Sequence, residues 1–74
     1  TDMATIRYHL KQSGDVNFTL TDITGRVIEN RRFANQAAGN QQFDINTQGL
    51  SDGIYLYNLI VRGKSVTGRI AVTR

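Results

Sequence analysis

The chain has 74 residues, a net charge of +3 with its single histidine neutral, and neither cysteine nor proline. That length allows one domain with a thin core, since area scaling gives roughly 4,600 Å² of folded surface against about 12,000 Å² for the extended chain. The missing cysteines exclude disulfides and thiolate metal or iron–sulfur sites. No apolar run approaches the ~18 residues of a membrane-spanning helix, and the basic residues, with Arg31-Arg32 the one adjacent pair, lack the dense stripe of a nucleic-acid surface.

Thr1-Asp2-Met3 reads as a cut in a longer polypeptide. Ile6, Tyr8 and Leu10 then alternate with Thr5, Arg7 and His9, the period of two expected of a strand with one buried face. Lys11-Gln12-Ser13-Gly14-Asp15 is a polar turn, after which Val16, Phe18 and Leu20 alternate with Asn17, Thr19 and Thr21. Asp22-Ile23-Thr24-Gly25 predicts a tight turn: an aspartate side chain accepts a bond from an amide two residues on, and glycine tolerates positive φ. Val27-Ile28 begins the return strand, so the pair should form an antiparallel hairpin.

From Arg31 to Gln42 the signal weakens, and the reading is a strand ending near Arg31–Phe33 followed by a polar loop. Phe43 and Ile45 are inward candidates on the next strand, and Leu50 in a turn-rich connection is placed to plug one end of the core. Ile54 to Val61 is apolar except for Asn58, which predicts a central strand with both faces partly covered. Arg62-Gly63-Lys64 is a tight turn, and Val66, Gly68, Ile70 and Val72 share one face of the last strand. Gly68, inside that strand, marks a bulge or a close backbone approach. About six or seven short strands, each with an apolar face to cover and no convincing helix, predict an all-β fold. Two packed antiparallel sheets are the natural form, with a small barrel as competitor.

The chemistry-bearing residues are sparse. His9 lies on an outward strand face, where a metal site would need three or four converging ligands. Asp22 and Asp52 sit at turns, and their first task is turn chemistry. No Gly-rich phosphate cradle or nucleophile elbow is present. The expectation is therefore no catalytic residue, no cofactor and no metal. Tyr55 and Tyr57 share a strand face and are read as core, because a domain this small needs its large rings inside; exposed, they would stack on sugars or nucleobases, and a non-catalytic carbohydrate-binding or adhesive accessory module is the alternative function.

The order and spacing of the pieces resemble a known family. Ile6-Arg7-Tyr8-His9-Leu10, Gly14, Val16-Asn17-Phe18-Thr19-Leu20, Asp22-Ile23-Thr24-Gly25-Arg26-Val27-Ile28, Leu50-Ser51-Asp52-Gly53-Ile54-Tyr55 and the basic tail Thr67–Arg74 are similar to the C-terminal sorting domain of type IX secretion substrates from Bacteroidetes-type bacteria. Lys11 stands where that family often has proline. The resemblance implies an immunoglobulin-like sandwich of seven strands, at the end of a longer secreted protein. It implies a sorting signal whose partners are an upstream cargo domain, the type IX translocon and a sortase-like surface protease, with no nucleic acid and no direct membrane insertion. It implies passage through the periplasm to the outer membrane, the cell surface or the medium. By position, Gly25 and Arg26 match its turn motif, Gly53 and Tyr55 its late G-x-Y motif, and Arg69 and Arg74 its basic terminal strand.

Overall fold

A computed structural model describes residues 3–73. Six strands follow in chain order: β1 (Met3–Leu10), β2 (Gly14–Asp22), β3 (Val27–Gln36), β4 (Gly39–Asn46), β5 (Gly53–Val61) and β6 (Lys64–Val72). They form a two-stranded sheet, β1-β4, and a four-stranded sheet, β3-β2-β5-β6. Every pairing is antiparallel. The fold is thus the expected all-β sandwich, with six strands among the described residues rather than seven.

The core lies between the sheets, because alternate residues of each strand face the same side. Val16, Phe18 and Leu20 of β2 are fully or almost fully buried, and Ile6 and Leu10 of β1, Ile45 of β4 and Tyr55 and Leu59 of β5 close over them. Phe43 of β4 ties the layers together. Its ring packs 4.9 Å from Phe18 and 4.8 Å from Phe33, centroid to centroid, and 6.1 Å from Tyr8. Leu50 packs against the cluster from the β4–β5 connection, as the sequence predicts.

Two expectations need correction. Arg31–Gln42 holds no long polar loop: β3 runs on to Gln36, β4 opens at Gly39, and only Ala37 and Ala38 lie between. Pairing makes this stretch extended, since β3 follows β2 as far as Gly14↔Gln36 while β4 crosses to the other sheet and follows β1. The corner is built by Asn35 at φ 55, whose amide donates to the Asp15 carboxylate at 2.9 Å. Strand β5 is central, between β2 and β6, but only one of its faces is covered. Tyr55 and Leu59 face the core, whereas Ile54, Leu56 and Ile60 are exposed on the outer side.

The last hairpin turns on two residues, Arg62 at φ 50 and Gly63 at φ 78, the paired positive dihedrals that suit the right-handed twist of adjoining strands. Gly68 meets the second alternative offered for it. It pairs with Tyr57, and a Cβ there would clash with the phenol edge of the Tyr57 side chain. The glycine gives the ring a place to lie across the backbone of β6.

Candidate recognition surface

The β2–β3 turn is organised by one carboxylate. Asp22 Oδ1 accepts the Thr24 amide at 2.9 Å, the Thr24 hydroxyl at 2.6 Å and the Arg26 amide at 3.0 Å. Its Oδ2 lies 3.2 Å from the Arg26 guanidinium. Backbone bonds from Gly25 N to Asp22 O and from Asp22 N to Arg26 O, both 3.0 Å, close the loop. Gly25 sits at φ 93, where a side chain would be strained. The Thr24 hydroxyl above all, with the two amides and Arg26, holds the Asp22 carboxyl below its ordinary value of 3.8 against an opposing desolvation cost. Composition does not single out Thr24; its signal is the D-x-T spacing.

The second candidate segment meets this turn across the sheet. Asp22 pairs with Tyr55, Tyr55 pairs in turn with Ile70, and Gly53 pairs with Val72. The buried Tyr55 ring anchors the strand, and its hydroxyl donates to Ser51 O at 2.7 Å. Gly53 opens β5 at φ 153. Arg69 sits one step in from Ile70, exposed on the outer face opposite Leu56. The turn residues Gly25 and Arg26, the Gly53–Tyr55 segment and Arg69 therefore gather at one end of the four-stranded sheet, although they are spread over more than half the sequence. Arg74 lies outside the described residues.

A profile of the family described as the secretion system C-terminal sorting domain matches residues 1–73. The chain belongs to this family of type IX sorting domains. A search of curated proteins finds no match. Membership makes the sorting domain part of an export signal, in a family that is non-catalytic, that works with the type IX machinery and that leads to the outer membrane, the cell surface or secretion.

Other polar side chains of the sorting domain have structural partners. His9 is exposed, with Nδ1 3.0 Å from Asn40 Oδ1. Asp44 accepts the Thr5 hydroxyl at 2.7 Å. Asp15 bonds Arg32 Nη2 at 2.7 Å, and the Asn35 amide first, then Arg32, lower its pKa. Among the described residues, no group of three or more His, Asp or Glu side chains is placed to hold a metal. Tyr55 is buried and Tyr57 half-buried against Phe18 at 6.1 Å. These two rings are core, and the sugar-stacking platform of the alternative reading is not built from them.

Proposed function

We propose that the folded sorting domain is a carried export signal, read by the type IX translocon at the end of the four-stranded sheet where Gly25, Arg26, Gly53, Tyr55 and Arg69 gather. On this reading the domain follows a cargo domain in a longer secreted protein and crosses the periplasm folded. A sortase-like protease then removes it at the cell surface. Gly25, Gly53 and Tyr55 act by shaping that end, through the turn and the anchored strand. Arg26 and Arg69, both exposed, supply the charge a partner meets, and Arg74 is assigned to the same basic tail.

The observation that carries the reading is the family match over nearly the whole chain. It is supported by the convergence of the matched motifs on one surface. The test is a fusion of residues 1–74 to a periplasmic reporter, with an export signal and linker, in a type IX-competent bacterium. Surface delivery of the reporter, and its loss when residues 66–74 are deleted, is expected. Periplasmic retention of an intact, folded fusion would overturn the proposal.

A further inference from the structure

The two sheets of the sandwich are unequal, and the mismatch leaves one region of the inner face uncovered. β4 covers β2 and β3 through Phe43, and β1 lies beside β4. Val66 of β6 pairs with Leu59 and so points to the same inner side. Leu59 is 3% exposed, but Val66 is 62% exposed. At the other end of the same strand Val72 is covered, at 8%. An inward-facing core position is thus open to solvent at one end of β6.

The opening is a trough of about 550 Å³ lined by Leu10, Leu59, Val61 and Val66, with Tyr8 at its side. Its rim holds His9, Lys11, Arg62 and Lys64 and no acidic residue. Arg62 is pinned by two bonds to Ser13 O, at 3.1 and 2.7 Å. Lys11 and Lys64 have no ion-pair partner among the described residues. Beside the trough runs a strand edge, since β1 pairs only with β4 among the described residues. The volume alone would suit a small molecule. An unpaired edge directly beside an apolar floor favours a strand, because the edge supplies backbone bonds and the floor takes alternate side chains.

We propose that the trough and the β1 edge form a seat for an extended segment of another protein. The segment adds to β1 as a strand, lays alternate apolar side chains on Leu10, Leu59, Val61 and Val66, and sets a carboxylate between Lys11 and Lys64. The basic, acid-free rim selects the acidic end, and the apolar floor selects the alternation. This goes beyond the export role and is tested apart from it, on the isolated chain.

The probes are fluorescent peptides of about eight residues that alternate valine and threonine and end in two glutamates. One carries the glutamates at its N-terminus and another at its C-terminus, to cover both strand directions. A third replaces them with lysines. At least one glutamate peptide should bind about tenfold or more tighter than the lysine peptide by anisotropy, a gap of ~1.4 kcal/mol. Amides of Tyr8–Leu10 should gain protection from hydrogen exchange. Val66→Asp and Lys64→Glu, both at exposed positions, should each weaken binding about tenfold or more while keeping the thermal midpoint. No binding, equal binding of the lysine peptide, protection confined to the β3 or β6 edge, or unchanged affinity in Lys64→Glu would each overturn the proposal. Self-association through the Tyr8–Leu10 amides would give the seat to a second copy and overturn it as well.

Discussion

Asp22 holds its turn through bonds that only the ionised carboxylate makes fully, and Asp15 does the same at the Asn35 corner. Both titrate below the ordinary 3.8 in the fold, so the unfolded chain binds more protons than the fold as the pH drops through that region. Their contribution is complete above the unfolded value and is lost as pH falls through the folded values. The thermal midpoint should therefore decline as the pH drops from about 5 toward 2. The Asp15→Asn/Asp22→Asn variant should melt lower at neutral pH and show a flatter decline in acid. Parallel melting curves for the two proteins across that range would contradict this account. The bond from the Thr24 amide to Asp22 was legible in the sequence, because a turn aspartate and the amide two residues on are local. Asp15 was not, because its partners Arg32 and Asn35 are brought to it by the β2–β3 register.

At the scale of elements, β5 and β6 are locked by the Tyr57 ring lying over Gly68. Gly68→Ala must displace that ring from the core edge. Overpacking of this kind costs about 1–3 kcal/mol, a fall in midpoint of roughly 5–20 °C for a domain of this size. In a Tyr57→Leu background the same substitution should cost less than half as much, because the pair is coupled. Equal costs in the two backgrounds would refute the contact. Alternation alone revealed the paired strands: Ile6, Tyr8 and Leu10, then Val16, Phe18 and Leu20, all face inward as the period of two requires. It failed over Arg31–Gln42, where polar residues dominate and pairing to two different neighbours imposes the extended form. It also overstated the cover on β5, because its unbroken apolar run does not say which layers lie above and below. The sorting motifs could be picked out from their spacing, but their meeting at one sheet end depends on the Asp22↔Tyr55↔Ile70 register, which no local pattern encodes.

The whole molecule is spread thin. Its accessible surface of 5,088 Å² exceeds the roughly 4,600 Å² typical of a compact chain of this mass. Its radius of gyration of 12.5 Å exceeds the roughly 11 Å expected for its length. The excess fits two sheets of unequal width, and it leaves distinct faces for partners. The trough beside β1 lies at the Leu10 end of the sandwich, next to the Val61–Lys64 hairpin. The surface proposed for export lies at the opposite end of β5, around Gly53 and the Asp22 turn. One domain can therefore present a sorting surface and a strand seat without overlap.

On the proposed function, the export machinery reads a folded surface and not merely the presence of the chain. The sharpest test of this claim is surface delivery of the reporter fused to an Arg26→Gln/Arg69→Gln variant. Both side chains are exposed, so the melting midpoint should stay close to that of the unaltered domain. Delivery should fall about tenfold or more, with the fusion folded in the periplasm. Undiminished delivery by that folded variant would contradict the claim.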